Sequence, residues 1–255
     1  MMMKKLLPAA RANGPLLLFA ALLAGLWELG PPLAGIPHYV IPRLSDVLAA
    51  IWEDRQPLLR HFFVTLWEAV LGLGLSTLLG LLTAIWIDRS RLAERTLYPL
   101  IVASQTIPIV ALSPIMVMWF GYELGSKVAV VILFTYFPIA VNTAAGFRRA
   151  DADTGDLLRT MGATAGQLFL KWKLPSAMPG FFTGLKLGAA ISVGGATLGE
   201  WLGGQAGIGM YTKRASHMLA GDAVFGGVLL LSLMGIGLFA AVLAIERLLL
   251  GHRRA

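Results

Sequence analysis

Cysteine is absent from the 255 residues, which excludes disulfide bonds, thiol catalysis and metal sites with Cys ligands. Charge is also scarce. Asp, Glu, Lys and Arg make up 14% of the chain, against about 25% in a typical soluble domain. Hydrophobic residues account for 57%, and the mean hydropathy is +0.74. This composition is typical of a protein whose solvent is lipid.

Patterns that would indicate other kinds of chemistry are missing as well. The chain has no G-x-x-x-x-G-K-[ST] phosphate loop, so it cannot hydrolyse ATP by that route. Its four histidines are scattered without the spacing of metal ligands. The net charge of +7 comes without a basic face interleaved with aromatic stacking partners, which argues against nucleic-acid binding. We expect no metal, cofactor or nucleic acid on this chain.

Six stretches are long and apolar enough to be membrane helices, which need about 20 mostly apolar residues. They are approximately residues 15–35, 62–87, 97–120, 128–147, 177–199 and 223–246. The first resembles a signal peptide, but no convincing cleavage site follows it, so we interpret it as a retained span shortened by Glu28 and Pro31-Pro32. The predicted fold is an all-α polytopic membrane protein with about six transmembrane helices in one domain, residues 1–255.

The third stretch differs from the others because it contains Pro99, Pro108 and Pro114. Prolines within a span free backbone carbonyls, which neighbouring helices or a wet cavity must satisfy. We therefore expect kinks in this span and a position in the protein interior.

Lys and Arg are distributed unevenly between alternate loops. With the N-terminus inside, fourteen lie in segments on the cytoplasmic side and six on the outer side. Because cytoplasmic loops carry the positive excess, both termini are predicted to face the cytoplasm in a multi-pass membrane protein. The loop of residues 148–176 is then cytoplasmic, and the loops of residues 36–61 and 200–222 are outside.

The two outer loops differ in their predicted structure. In residues 36–61, Ser45 can cap a short helix lying along the outer membrane surface, with Val47, Leu48, Ile51 and Trp52 on one side. The loop of residues 200–222 contains GGQAGIGMY, which is too rich in glycine for a long helix.

The cytoplasmic loop contains the segment DLLRTMGATAGQLFLKWKLP, residues 156–175. Wound as a helix, it gathers apolar side chains within about a third of the circumference: Leu157, Leu158, Met161, Ala165, Leu168, Phe169 and Trp172. Gly162 interrupts the run with a turn. Such a segment either lies on lipid headgroups or offers two short helices to a groove on a partner protein, and periodicity alone leaves both open.

The same segment resembles the signature loop of ATP-binding cassette (ABC) importer permeases, E-A-A-x3-G-x9-I-x-L-P. Aligned on Gly162, the spacing fits without a gap. The departure is conservative at the first position, where Asp156 replaces glutamate, and larger at the two alanines and at the isoleucine, where Trp172 stands. The resemblance implies that these residues couple the chain to an ATPase: Asp156, Leu157, Leu158, Gly162, Leu174 and Pro175.

Three further stretches extend this resemblance over approximately residues 36–250. IPRLSDVLAAIW, SQTIPIVALSPIMVMWFG and FPIAVNTAAGFR resemble the permease branch for nitrate, taurine, aliphatic sulfonates and thiamine-pyrimidine precursors. The family implies a coupling helix that docks on a separate ATP-binding cassette subunit, an extracytoplasmic substrate-binding protein, and a second copy of the permease.

Several polar residues fall within or beside the predicted spans. Three are candidates for lining the substrate pathway, although such residues also serve as hydrogen-bonding glue between helices: Gln105, Thr106 and Asn142. Glu68 and Lys186 place charges inside spans. Glu200 closes the fifth span on the outer side, where it either shapes a gate or is a solvated loop residue, and we favour the solvated loop.

The function predicted is the membrane-spanning subunit of an ATP-driven importer, with no enzyme activity of its own. A membrane enzyme would need clustered His or carboxylate groups, and a secondary transporter an inverted repeat with ion ligands at the midplane. We find neither. For the substrate we favour a thiamine pyrimidine precursor, because SQTIPIVALSPIMVMWFGY and FPIAVNTAAGF resemble permeases for that class more than those for sulfonates or nitrate. Gln105 and Thr106 can pair with a heteroaromatic amine, and Trp119, Tyr136 and Phe137 can offer it a flat face. Taurine, an aliphatic sulfonate or nitrate is the alternative.

Overall fold

The computed structural model describes residues 3–251, with side chains from Gly14 onward except at residues 16–17. All of the regular structure in residues 3–251 is helical, which confirms the predicted all-α class. The helices are α1 Met3–Leu33, α2 Leu44–Glu53, α3 Arg55–Arg89, α4 Arg91–Ser104, α5 Ile109–Phe120, α6 Leu124–Arg148, α7 Ala152–Thr160, α8 Ala165–Leu168, α9 Leu174–Gly203, α10 Ile208–His217 and α11 Gly221–Leu250. A π-helical turn, Phe169–Lys173, joins α8 to α9.

Four helical segments are long and apolar enough to cross a membrane: α3, α6, the continuous run Ala165–Gly203, and α11. The pair α4 and α5 adds a fifth if it is counted as one span. The predicted count of six is therefore not confirmed. In α1 the apolar part among the described side chains is Leu18–Leu33, which is shorter than the about 20 residues a span needs. The terminal charges Arg253 and Arg254, used in the topology count, lie outside the described residues.

The third predicted span is broken rather than merely kinked. α4 and α5 meet at an angle of 100° across residues 105–108, and Pro108 is the N-cap residue of the second helix. The expectation that this segment lies in the interior is wrong for the single chain, since Val110, Met118 and Trp119 on α5 are largely exposed.

α6 and α9 pack extensively against each other. Their backbones approach closely along glycines of α9. A Cβ added to Gly184 would lie 2.5 Å from the Pro138 carbonyl oxygen, and one added to Gly180 would lie 2.5 Å from that of Asn142. Small residues at such positions let membrane helices pack with their backbones in contact.

The chain divides into two compact units: Met1–Leu59 with Tyr211–Leu229, and Arg60–Met210 with Leu230–Ala255. Within the first, Tyr211 donates from its hydroxyl to Asp54 Oδ2 at 2.6 Å. Burial and this carboxylate raise the pKa of Tyr211. The second unit holds the packed core around α3, α6 and α9, and every site discussed below lies in it.

The cap of α2 is not Ser45, contrary to the sequence prediction. The helix begins at Leu44 with Arg43 before it, which makes no side-chain cap bond. Ser45 lies in the first turn, where its backbone N–H and its hydroxyl both donate to the carboxylate of Glu28, at 2.9 and 2.8 Å. A carboxylate from α1 thus satisfies the start of α2, as a negative group at a helix N-terminus does.

Candidate functional site

The loop of residues 148–176 forms two short helices joined by a tight turn. Asp151 caps α7, accepting from the backbone N–H of Thr154 at 3.1 Å. The Thr154 hydroxyl and this backbone bond lower the pKa of Asp151, because both stabilise its charged form. Thr164 caps α8 in a reciprocal arrangement with Gln167, which satisfies two backbone donors at once. Both helices therefore carry their own start signals.

The turn between the two helices depends on Gly162, whose φ is +81°. Its N–H donates to the Arg159 carbonyl at 2.9 Å, and that of Ala163 donates to the Leu158 carbonyl at 3.0 Å. This pattern is typical of a helix that ends with glycine in the left-handed conformation. The predicted turn at Gly162 is therefore present.

One side of the loop is anchored to the membrane helices. Lys173 pairs with Asp88 at the end of α3, at 2.5 Å. The ring of Phe169 stacks on Phe147 of α6, with centroids 6.0 Å apart. Gly155 lies against the Trp172 indole so closely that any side chain there would collide with it. The loop is thus held by an ion pair, an aromatic stack and a close contact.

The other side of the loop is largely exposed. Leu157 and Met161 are 60% and 74% exposed. Asp156 forms an exposed ion pair with Arg159 at 2.5 Å, and Leu158 is half-buried. The single apolar face predicted from the helical wheel is therefore divided, because Phe169 and Trp172 turn inward while Leu157 and Met161 remain as a knob around the turn.

Leu174 and Pro175 form the first turn of α9. Proline is accommodated there because its missing N–H has no partner within the helix.

The pathway candidates occupy two places. Gln105 and Thr106 are exposed at the break between α4 and α5, and the Thr106 hydroxyl donates to the Ala103 carbonyl at 2.8 Å. Asn142 is half-buried in α6, and its amide donates to the Pro138 carbonyl at 2.7 Å. Of the aromatic residues that accompany them, Trp119 is exposed, whereas Tyr136 and Phe137 pack on the core.

Comparison with known proteins shows which family has this sequence pattern. Residues 76–251 match the model of the family described as the binding-protein-dependent transport system inner membrane component. The chain belongs to this family.

The permease has relatives of known name over nearly its whole length. It is 40% identical to the formylaminopyrimidine transport permease protein ThiX of Halalkalibacterium halodurans, and the alignment covers 93% of this chain and 95% of that relative. It is 27% identical to the putative aliphatic sulfonates transport permease protein SsuC of Bacillus subtilis, and the alignment covers 94% of this chain and 87% of that relative. The resemblance to ABC importer permeases of this branch is confirmed.

A solved structure shares the fold. A chain of an amino acid ABC transporter superposes with a TM-score of 0.62 at 14% identity, covering 78% of this permease and 97% of that chain. As a member of the family, the permease is a multi-pass inner-membrane subunit of an ABC importer. ATP is bound by a separate subunit, and substrate is delivered by a binding protein.

Glu200 is not the solvated loop residue that the sequence suggested. Helix α9 continues to Gly203, past the predicted end at residue 199, and Glu200 is 0% exposed. Its Oε1 accepts from the Thr65 hydroxyl at 2.6 Å, and its Oε2 accepts from the backbone N–H of Gly209 at 2.5 Å. The carboxylate thus fixes the N-terminus of α10 against α3 and α9, a favourable place for negative charge.

Of the other two charges within spans, Lys186 is half-buried and Glu68 is buried. Lys186 pairs with Glu246 of α11 at 2.6 Å, which gives each a partner, as intramembrane charges usually have. Glu68 is 5% exposed, and its buried Oε2 has no hydrogen-bond partner among the described residues. Among the described residues, no three His, Asp or Glu side chains are grouped so that they could hold a metal ion.

Sequence reasoning missed four residues of these sites: Gly155, Asp88, Thr65 and Glu246. Each acts through a partner distant in the sequence, such as Lys173 for Asp88, 85 positions away. The one available signal was the presence of Asp88 at the end of an apolar span, near the predicted cytoplasmic boundary.

Proposed function

We propose that this permease, as a pair of identical copies, forms the translocation pathway for a pyrimidine precursor of thiamine. The substrate class is supported by sequence identity. The chain is 40% identical to a formylaminopyrimidine permease and 27% identical to an aliphatic sulfonate permease over a similar length. Taurine, an aliphatic sulfonate or nitrate is the alternative cargo.

The break between α4 and α5 supports a pathway there. Gln105 and Thr106 are neutral, exposed and able to donate or accept hydrogen bonds, which suits an uncharged heterocycle. Asn142 keeps its amide oxygen available after its amide nitrogen has bonded Pro138. A second copy of the chain would cover the exposed apolar residues of α5, including Met118 and Trp119.

The coupling role is proposed for the knob around Gly162. Leu157 and Met161 project from it, and an apolar patch rimmed by polar groups fits a groove on a soluble subunit. The anchored side of the loop, through Asp88 and Lys173, would carry ATPase closure to α3 and α9. This arrangement requires the loop on the cytoplasmic side, which is where the distribution of Lys and Arg predicts the loop and both termini.

The substrate is best tested on the partner binding protein, which delivers the cargo. Calorimetry with hydroxymethylpyrimidine and its formylamino relative, against taurine and nitrate, distinguishes the candidates. We expect saturable binding of the pyrimidines alone. Binding of taurine or nitrate without any binding of the pyrimidines would refute the substrate assignment and leave the membership in the importer family intact.

A further inference from the structure

The helical run that connects the loop of residues 148–176 to α9 contains one turn that is wider than an α-helical turn. Phe169–Lys173 form this π-helical turn, and the run continues through it from Ala165 to Gly203. The Leu174 N–H donates to the Phe169 carbonyl, five positions back, whereas an α-helix bonds four positions back. The turn therefore takes up one residue more than an α-helical turn would. Single π-helical turns within α-helices are rare and occur frequently at functional sites.

Pro175 explains why the turn is wide. In an uninterrupted α-helix its ring would meet the carbonyl of the residue four positions back, Lys171. A π-helical turn relieves such a contact and lets the neighbouring backbone groups find partners. The Ser176 hydroxyl donates to the Trp172 carbonyl at 2.8 Å, which adds a hydrogen bond where proline has no N–H to give.

The extra residue determines which side of the helix Phe169 occupies. Ala177 faces α6, since a Cβ added to Gly146 of α6 would lie 2.8 Å from the Ala177 carbonyl oxygen. Phe169 lies eight positions before Ala177, which in an α-helix is a rotation of about 80° away from that side. With one residue taken up by the π-helical turn, seven remain, and the rotation falls to about 20°. The Phe169 ring accordingly stacks on Phe147 of α6.

This position of Phe169 adds α6 to the helices that hold the loop. Lys173 already joins the loop to α3 through Asp88. Arg89, at the end of α3, also lies over the Phe169 ring, with its guanidinium carbon 4.7 Å from the ring centroid. A displacement of the loop can therefore reach α3, α6 and α9 together, provided that Phe169 keeps this side of the helix.

We propose that Pro175 is a positioning residue for coupling: by widening the turn before it, Pro175 rotates the loop so that Phe169 meets α6. The proposal rests on the proposed function, because it takes the knob around Gly162 as the part that meets the ATPase. It gives Pro175 an action inside the permease, at the junction of the loop with α9, instead of a contact with the ATPase.

The test measures ATP hydrolysis and uptake by the reconstituted importer, with the substrate that the calorimetry identifies, together with the yield of folded permease. Pro175→Ala allows the turn to become α-helical. This change swings Phe169 about 100° away from α6, so most of the uptake per ATP hydrolysed should be lost. Deletion of Leu170, which is 63% exposed, removes the extra residue but leaves the proline in an α-helical turn, and it should also impair uptake.

The two changes together should compensate for each other. They give an uninterrupted α-helix that returns Phe169 to the side of α6, so the double variant should regain uptake. If Pro175→Ala lowers the yield of folded permease, the double variant should regain the yield as well, because a deletion does not replace a merely stabilising proline. Pro179→Ala is the matched control, since it removes a proline within α9, beyond the π-helical turn, and should leave uptake unchanged.

A second measurement follows the rotation directly and uses the absence of cysteine in the chain. Phe169 is half-buried, so Phe169→Cys should react slowly with maleimide. It should react faster when combined with Pro175→Ala, and slowly again when Leu170 is also deleted. Met161→Cys, at a position that is 74% exposed, should react at the same rate in all three backgrounds.

Three results would overturn the positioning role of Pro175. They are unchanged uptake in Pro175→Ala, a double variant as impaired as either single change, and equal labelling at position 169 in the three backgrounds. Gly162→Val distinguishes this failure from that of the proposed function. If Gly162→Val abolishes coupled uptake, only the role of Pro175 is refuted, and if it also leaves uptake unchanged, the coupling role of the loop is refuted as well.

Discussion

Substitutions at Gly162 test the backbone conformation of the coupling turn without disturbing its packing. The φ of +81° is one that residues with a Cβ rarely adopt, yet a Cβ built on Gly162 meets no atom within 4 Å. Any cost of Gly162→Ala or Gly162→Val is therefore conformational and not steric. A left-handed residue with a side chain costs about 1–2 kcal/mol, and more for a β-branched one.

Such a cost shifts the population of the native turn by a factor of about 5–30. We expect the loop to leave its conformation in Gly162→Val, so that Leu157 and Met161 no longer meet the ATPase together. Gly162→Asn should be nearly neutral, since asparagine tolerates the left-handed region. Gly166→Ala is the matched control, because its added Cβ also meets nothing within 4 Å and alanine is favoured over glycine in a helix.

The assay is substrate-stimulated ATP hydrolysis and uptake by the reconstituted importer, with membrane insertion checked by labelling. We expect Gly166→Ala to take up substrate as fast as the unmodified chain, and Gly162→Asn nearly as fast. Uptake should be lower in Gly162→Ala and lowest in Gly162→Val. Equal uptake in Gly162→Val and Gly166→Ala would refute the role assigned to this turn.

Four further predictions follow from individual contacts. Asp88→Asn should reduce uptake per ATP hydrolysed, and the exchange Asp88→Lys with Lys173→Asp should restore part of it; no loss in the single variant would contradict the anchoring of the loop. Gly184→Val should prevent folding in the membrane, because its side chain would overlap the Pro138 carbonyl oxygen. The measurement is the yield of folded permease after extraction in detergent, and a normal yield would refute the close packing of α6 and α9. Thr164→Ala should cost about 1 kcal/mol of α8 stability, seen as faster amide exchange in residues 165–168, whereas unchanged exchange would rule out the cap. Cysteine at position 164 should react with impermeant reagent only from the cytoplasm and cysteine at 213 only from outside, and the reverse would overturn the topology.

Local features of the fold could be predicted from the sequence. Gly162 sits between two short apolar runs, and glycine at a helix end commonly takes a positive φ, so the turn followed from spacing. Pro99, Pro108 and Pro114 indicated a disrupted span, although the size of the bend, 100°, depends on packing that no local pattern specifies.

Features that depend on tertiary contacts could not be predicted. The sequence predicts Glu200 in a loop because the apolar run ends before it, but α9 continues past it and Thr65, 135 positions away, donates to its carboxylate. Ser45 is a good cap residue in isolation, yet Glu28 of another helix takes that role. The segment of residues 156–175 is predicted to carry one apolar face, because a helical wheel cannot show that Gly155 packs against the Trp172 ring.

The most direct test of transport function is ATP-driven uptake of formylaminopyrimidine into proteoliposomes that contain this permease. We predict accumulation only when the ATP-binding subunit, the loaded binding protein and ATP are all present. Uptake by the permease alone, or ATP-driven uptake of taurine or nitrate with none of the pyrimidine, would contradict it.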